Sequence, residues 1–593
     1  MFLTGGEIVA QCLIKAGVPY AVGIPGHGCL CLVDAFLKCR DQLQVIQVRQ
    51  EMAAVHLADG YFRVTGRPLA VFASIGPGTI NTAIGLATCY VDSTAALVLS
   101  GDVHSYMTGK GVLQELDRSS RSDRTPFLAP FTKGFWRPAS AAELPEVMRS
   151  AFETMLCGRP GPALISLGMD IQAEAADVQI PAVRPDRPDE KADPETIARA
   201  AAMLAHAERP VIVAGGGVNL AEAWEELRQV AELAGAAVVT TLQGKGCFPE
   251  DHPLSAWLAG SKGTDLGNAM TRSADVIVAV GCRFADESTS SYRRGVTYSI
   301  PPTKLIHIDV DPQEIGKNYP VEIGVVGDAK AVLGQLADAL SAEKVGARKD
   351  YIEEIARRRE EWFRSLDKWR LSDRTPVTIS RALKEAREFL SRDAIVVSSS
   401  GHSQAQMLQE FTFYEPRTNI TTGGFSTMGF SLPAAMGAKL AAPERQVAAI
   451  MGDGDFLMSV QELATAAQHE IPVVALVMNN ASWMSIADLQ REALGADHVY
   501  AVHLSRDGAD GPDLRAISAG FGCYSERVSS PDEVRPALDR AFESGRPAVI
   551  EVMVNREYPY SGGKAVGWWD VPVPAYLSDI RAQYEKARSE EML

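Results

Sequence analysis

The stretch Arg445–Val460, "RQVAAIMGDGDFLMSV", leaves an apolar β-like run through Gly452-Asp453-Gly454-Asp455 and enters a helical pattern. Packing asks for none of those four residues. Two glycines let the backbone turn tightly and come close to a ligand, and a helix starting there points free N–H groups into the same space. That is a cradle for phosphate. Asp453 would repel a phosphate unless a cation lay between them, so it is a candidate ligand for a divalent metal bridging carboxylate and phosphate. A second apolar run, "IPVVALVMNN", ends at Asn480, 27 residues beyond Asp453. One strand–helix–strand unit fits that interval, and in a parallel sheet both strand ends open on the same edge, so Asn480 reaches the same ion. Mg²⁺ suits such a site through its preference for octahedral oxygen ligands shared with diphosphate. For GDGD alone an ordinary βα turn is an even alternative; its pairing with Asn479-Asn480 is far more specific.

The alternation of apolar runs and helical patterns extends outward from this unit and predicts an α/β fold: three α/β domains with mainly parallel sheets, plus a C-terminal tail. Residues 1–180 hold the strands "YAVGIPG", "LQVIQVRQE", "LAVFASIGPG", "AALVLSGD" and "PALISLG". Residues 190–345 hold "RPVIVAGGGVN", "AAVVTTLQG", "DVIVAVGCRF" and "KLIHIDVDP"; residues 370–555 hold "DAIVVSSSG", the two runs above and "PAVIEVMV". The proline-rich segment 180–194 reads as a linker, and "KDYIEEIARRREEWFRSLDKWR" as a solvated connecting helix. The first and third units have the character of distant copies of one fold.

With 593 residues, 46% of them hydrophobic, a large core is available. A net charge of −16 gives no footprint for nucleic acid or an anionic membrane. No apolar run approaches a membrane span and no signal core opens the chain, so a cytoplasmic protein acting on small molecules is expected. Nine cysteines without a CxxC pair suggest neither a disulfide framework nor zinc, and Cys29 and Cys31 read as packing residues.

GDG followed by NN resembles the diphosphate–Mg²⁺ motif of thiamine diphosphate enzymes, and further motifs follow in that family's order. The resemblance implies thiamine diphosphate and Mg²⁺ as cofactors. It makes Asp453, Asn480 and the Ser482 carbonyl metal ligands, with Gly452, Gly454, Asp455, Trp483 and Met484 around the cofactor. Glu51 opens the helix "EMAAVHLADGYFRVTG" after a strand, where an acid can simply favour a helix N-terminus. In the family a glutamate there hydrogen-bonds the aminopyrimidine and stabilises the tautomer that deprotonates thiazolium C2. "SIGPGTIN" contributes Gly76, Pro77, Gly78 and Asn81. "GGFSTMGFSLPAAMGA" contributes Ser426 and Met428, the latter wedged between the cofactor rings in the family. "SSSGHSQAQM" contributes Ser400, Gly401, His402 and Ser403 around the diphosphate, and "GIPGHGCL" contributes Gly26 and His27. Gln114, in "GVLQELD", resembles a glutamine lining the substrate pocket. Glu51, His27 and Gln114 are thus the candidate catalytic residues.

The middle segment is similar to acetolactate synthase in "AGGGVNLAEAWEEL", "TTLQGKGCFPEDHPLS", "AVGCRF" and "HIDVDPQEIGKN". This implies FAD or another adenine nucleotide in the middle domain, at Gly215–Gly217 and the Arg283 region. The glycines there do not satisfy GxGxxG, so a nicotinamide dehydrogenase lacks its fingerprint. This chain departs from the synthases in three places. Arg283-Phe284 is followed by Ala285-Asp286-Glu287 rather than Asp-Asp-Arg, Leu489 stands near a tryptophan position, and His27 replaces a glycine. His27 is either a turn residue or a group suited to proton transfer near neutrality. The GHG triplet, "GFSTMG" and "GWWDVPVPAYL" resemble the trihydroxycyclohexanedione hydrolases. The tail 556–593, with Gly562-Gly563 and Trp568-Trp569, reads as a lid or as packing on a neighbouring subunit.

The activity implied is acetolactate synthase-like C–C cleavage or carboligation on a 2-oxo acid or related carbonyl donor, through a C2 carbanion and enamine. The alternatives are opening of a cyclic 1,2-diketone and cleavage of a 2-hydroxyacyl-CoA. A non-catalytic homologue is disfavoured by the joint presence of Glu51, Asp453 and Asn480. The family builds each site from two chains, which implies a homodimer at minimum and, by expectation, a homotetramer.

Overall fold

Short β-branched and alanine-rich runs, each closed by glycine or a polar residue, form the centres of three parallel sheets. The computed structural model describes residues 1–115, 127–182, 191–505, 511–556 and 571–589. Its first segment contains β1 (Phe2–Thr4), β2 (Tyr20–Gly23), β3 (Gln44–Gln47), β4 (Ala70–Ala73), β5 (Leu97–Asp102), β6 (Gly134–Trp136), β7 (Ala163–Gly168) and β8 (Ala175–Asp177). The second contains β9 (Pro210–Ala214), β10 (Ala237–Thr240), β11 (Ser255–Leu258), β12 (Val276–Val280), β13 (Lys304–Asp309) and β14 (Ile323–Val326). The third contains β15 (Ile395–Ser398), β16 (Asn419–Thr421), β17 (Val447–Gly452), β18 (Val474–Asn479), β19 (Tyr524–Val528) and β20 (Ala548–Met553).

The first sheet runs β3-β2-β4-β5-β7-β6 and the third β16-β15-β17-β18-β20-β19, so both follow the order 2-1-3-4-6-5 once the small β1–β8 pair is set aside. The middle sheet runs β11-β10-β9-β12-β13-β14, the doubly wound order 3-2-1-4-5-6. Neighbouring strands are parallel throughout these three sheets. In such sheets a crevice opens beyond the strand ends where the winding reverses. Those points lie between β2 and β4, between β9 and β12, and between β15 and β17.

The strands not anticipated in these sheets (β6, β11, β14, β16 and β19) are three to five residues long and include five of the six edges. An edge strand needs fewer apolar residues than a central one, so its pattern is faint. The charged helix Lys349–Arg370, expected to be solvated, instead buries Tyr351, Ile355 and Leu366 on one face. Arg359 also donates to the His252 carbonyl at 2.8 Å, and Trp362 Nε1 to the Gln409 carbonyl at 3.0 Å. Cys31, expected to pack, is exposed. Gly562, Gly563, Trp568 and Trp569 lie outside the described residues, as do residues 183–190 of the linker. No helix among the described residues is long and apolar enough to cross a membrane.

The first and third segments join through the helices Glu51–Thr65 and Ser431–Ala441. Their backbones approach so closely that a Cβ on Gly437 would fall 1.9 Å from the Leu57 carbonyl oxygen, and one on Gly60 2.1 Å from that of Ala434. His56 packs edge-on against Phe430 at 5.2 Å, and Arg63 bridges Asp59 (2.7 Å) and Asp92 (3.0 Å). Neither nitrogen of His56 has a partner, and burial pushes the ring down to about 4.

Gly437→Val should force these helices apart and cost about 3 kcal/mol, read as a lowered denaturation midpoint. His56 gives a pH signature. The unfolded ring titrates near its ordinary 6.5 and the folded ring near 4, so the unfolded state alone takes up a proton between those values. Stability should therefore fall as pH drops from about 6.5 to 4, by about 3 kcal/mol, and His56→Leu should flatten that slope in denaturant titrations.

Candidate active site

At the reversal point of the third sheet, β17 ends at Gly452 and a short helix begins at Asp453. A cleft of about 440 Å³ opens there. Gly452, Asp453, Gly454 and Asp455 line it from β17; Ser400, Gly401, His402 and Ser403 line it from the end of β15. Asn480, Ser482, Trp483 and Met484 close it from β18, and Met428 enters from the turn before the Ser431–Ala441 helix. The structure thus gathers residues scattered over some eighty positions into one crevice.

Asp453 is 4% exposed, and its two oxygens accept the Gly454 N–H (3.0 Å) and the Ser482 N–H (3.2 Å). Burial pushes this carboxyl up to about 6. The adjacent asparagines divide the work. Asn479 is spent on the fold, donating to Glu551 at 2.6 Å and accepting from the Ala481 N–H at 2.9 Å. Asn480 Oδ1 is buried with no partner. A buried carboxylate facing an orphaned amide oxygen is a donor set that a hard divalent cation would satisfy. The Ser482 carbonyl, the third expected ligand, already accepts the Met484 N–H at 2.9 Å and keeps its second lone pair.

Two residues expected around the cofactor are engaged within the protein. Asp455 borders the cleft, with one oxygen accepting the Gly429 N–H at 2.5 Å and the other the Ser431 hydroxyl at 2.6 Å. It fixes the turn that carries Met428. The other end of that turn is held by Asp92, which accepts the Gly423 N–H at 2.9 Å. Ser426 stands behind the cleft and reaches it through Ser400, hydroxyl to hydroxyl at 3.1 Å. His402 Nε2 pairs with Asp488 at 2.9 Å.

A second group forms at the reversal point of the first sheet. Glu51 is 7% exposed, and its Oε2 accepts from Asn81 Nδ2 at 2.9 Å. Its Oε1 lies 3.0 Å from where a Cβ on Gly78 would sit. Gly76 caps the short helix that Pro77 opens, and the Gln114 carbonyl approaches that glycine. Gly26 packs on Ser74, whose hydroxyl accepts the Gly28 N–H at 3.3 Å, and between them His27 is exposed. Among the described residues, none before Ile379 lines the cleft around Asp453.

The middle sheet has its own crevice of about 1320 Å³, bounded by Gly216, Gly217, Arg283 and Asp309. Arg283 is largely buried there and forms no salt bridge among the described residues, and burial lowers its pKa. Burial also pushes Asp309 up to about 6. Glu287, the acid in place of a base, does not present bare charge to this crevice, because Lys262 pairs with it at 2.8 Å.

Sequence reading missed Asp92, Arg63, Lys262 and Gln404. Asp92, flanked by "ATCYV" and "STAALV", carried the clearest signal, an acid inside an apolar stretch.

Comparison with known proteins matches three family models in chain order. The N-terminal TPP binding domain of thiamine pyrophosphate enzymes covers residues 3–121, the central domain 197–336 and the C-terminal TPP binding domain 399–552. A probable acetolactate synthase large subunit of Methanocaldococcus jannaschii is 36% identical over 572 residues, covering 93% of this chain and 92% of the relative. The acetolactate synthase large subunit of Corynebacterium glutamicum is 33% identical, over 94% of this chain and 87% of its own. Acetolactate synthase isozyme 3 large subunit of Escherichia coli is 33% identical, over 92% and 93% respectively.

The cleft wall can be tested directly. A Cβ on Gly454 would fall 2.1 Å from the Trp483 ring. Gly454→Ala should push that indole outward, giving red-shifted emission that is absent when Trp483→Phe is added.

Proposed function

The chain belongs to the thiamine pyrophosphate enzymes, in the acetolactate synthase-like branch, and on that premise we propose that it is a Mg²⁺-dependent carboligase joining a 2-oxo acid donor to a carbonyl acceptor. The observation that carries the reading is a pairing: a buried Glu51 held by Asn81 through one oxygen, and a cleft offering Asp453 with the unpartnered Asn480 Oδ1. The names of the relatives favour acetolactate chemistry over opening of a cyclic diketone or cleavage of an acyl-CoA.

When bound, thiamine diphosphate supplies a carbon nucleophile at thiazolium C2 and an electron sink for making and breaking C–C bonds. Asp453, Asn480 and the Ser482 carbonyl would hold Mg²⁺, and Gly401, His402 and Ser403 would hold the diphosphate oxygens. Met428, on a turn fixed at both ends by carboxylates, would pack against the bound cofactor. Asn81 orients the Glu51 carboxyl, leaving Oε1 to hold or move the aminopyrimidine proton. His27 and Gln114 stand on the same sheet edge, where donor and acceptor would enter. His27 is exposed beside Ser74 of the Gly76–Gly78 turn, where its ring can reach a bound substrate.

The middle crevice suits FAD or another adenine nucleotide. Its glycine turn lies at a switch point, and the half-buried Arg283 guanidinium, which forms no salt bridge among the described residues, calls for an anionic group. A homodimer is proposed as the smallest active unit and a homotetramer as the working form, with Glu51 of one chain completing the cleft of another. That no described first-domain residue lines the Asp453 cleft supports this, as do the exposed Ile84, Tyr90, Phe425 and Met458. A cytoplasmic setting fits the nine unpaired cysteines.

Glu51→Gln should slow hydrogen–deuterium exchange at the cofactor's C2 by about a hundredfold or more, read by NMR, while thiamine diphosphate still binds. Unchanged exchange would remove Glu51 from the role assigned to it.

A further inference from the structure

The middle crevice and the diphosphate cleft are connected by a run of side chains that neither site accounts for. Lys262 sits in the turn after β11, and Glu287 on the wall of the middle crevice. Lys262 Nζ donates to Glu287 Oε1 at 2.8 Å and to Gln404 Oε1 at 2.9 Å. Gln404 Nε2 donates in turn to Thr421 Oγ1 at 2.7 Å and to the Thr422 carbonyl at 3.1 Å. The Ser398 hydroxyl donates to Thr421 Oγ1 at 3.1 Å, which brings the chain to the end of β15, two residues before Ser400 of the cleft. Lys262, Gln404, Thr421, Thr422 and Ser398 are all buried.

The backbone doubles the connection. Ser261 donates to the Glu287 carbonyl from its N–H (2.7 Å) and its hydroxyl (3.1 Å). On the other side Gln409 Nε2 donates to the carbonyls of Lys262 and Gly263, each at 3.3 Å. Gln404 and Gln409 belong to one helix, His402–Glu410, whose opening residues His402 and Ser403 line the cleft with Gly401 ahead of them. The ammonium therefore joins the wall of one crevice to the helix that forms the cradle of the other. Removing it would strand a half-buried carboxylate and a buried amide oxygen together. With both ends of the Gln404 amide bound, rotating the helix about its axis would break these bonds, which favours one aim for the cradle's donors. Such preorganisation lowers the cost of binding.

We propose that Lys262 is a positioning residue for the diphosphate cradle, holding the His402–Glu410 helix in register by bridging Glu287 and Gln404. This rests on the reading that the Asp453 cleft takes thiamine diphosphate with Mg²⁺.

The test titrates thiamine diphosphate, at fixed Mg²⁺, into wild type, Lys262→Met, Lys262→Arg and the double variant Lys262→Met/Glu287→Met. Affinity is followed by calorimetry, with melting temperature and the rate at saturating cofactor measured beside it. Lys262→Met should weaken affinity about tenfold while the rate at saturating cofactor stays near wild type. Lys262→Arg, which can still bridge, should regain most of the affinity. The double variant removes both buried charges and should regain melting temperature. Its affinity should stay low, because Gln404 Oε1 still lacks the Lys262 donor that ties the helix to the middle crevice. Affinity that returns together with melting temperature would reduce Lys262 to a stabilising role and overturn the proposal, as would wild-type affinity in Lys262→Met. If Lys262→Met does not fold, Gln404→Leu breaks the same link from the other side and is held to the same outcomes. A wild type that binds no thiamine diphosphate would overturn the reading of the cleft itself, and this proposal with it.

Discussion

The close approach of the Glu51–Thr65 and Ser431–Ala441 helices is the constraint on which the rest of the structure depends. Two glycines on facing helices remove the side chains that would otherwise hold the backbones apart, and each would bring a Cβ within 2.1 Å of a carbonyl oxygen across the contact if replaced. One helix begins at Glu51, and the other is entered directly from the turn carrying Met428. Setting their separation therefore fixes how the first and third domains of one chain sit against each other. The charges at this junction act in the same sense. Arg63 ties Asp59 to Asp92, and Asp92 reaches across to the Gly423 N–H. A buried guanidinium between two carboxylates is costly to break from either side, which resists sliding as the glycines resist separation.

Three repetitions of one topological rule explain where the ligands must go. The glycine turns after β2 and β4, after β9 and β12, and after β15 and β17 fall at the three points where strand order reverses. A parallel sheet leaves its strand-end N–H groups facing a crevice there, with helices falling away on either side. The first and third sheets share a strand order, yet their crevices differ in chemistry. One holds a carboxylate steadied by an amide, the other a carboxylate facing an orphaned amide oxygen. The fold provides equivalent openings, and the side chains at the strand ends decide what each can do.

Much of this was legible in the sequence because the decisive signals are local and periodic. An apolar strand followed by glycines and an acid places its own turn, and the spacing from Asp453 to Asn480 encodes one βα unit whatever the surroundings. The central strands were legible for the same reason. Edge strands such as β14 and β19 were not, since they bury only part of their surface and carry charged or exposed residues. Asp92, Lys262 and Gln404 were hidden for a different reason. Their partners lie 331, 25 and 17 or more residues away in sequence, and a lysine or glutamine gives no sign that its polar end is buried. The charged helix Lys349–Arg370 misled for a related reason: three buried residues on one stripe suffice to dock it, and the charges dominate its composition.

The two acids of the GDGD turn show how far such reading goes. Composition makes Asp453 and Asp455 equivalent, and both are buried with pKa values raised by burial. Their fates diverge in what binds each carboxyl. Asp453, the first helical residue, borders the crevice beyond β17 and β18, where its bonds come from the N–H groups of Gly454 and Ser482. Asp455 borders the same crevice, but its oxygens are taken by the Gly429 N–H and the Ser431 hydroxyl. One acid therefore keeps its carboxyl toward the crevice, bound only by backbone N–H groups, and the other spends its charge holding the wall opposite. The turn needs both: a carboxyl at Asp453 can serve the crevice only if the Met428 turn that lines it is fixed, and Asp455 holds that turn.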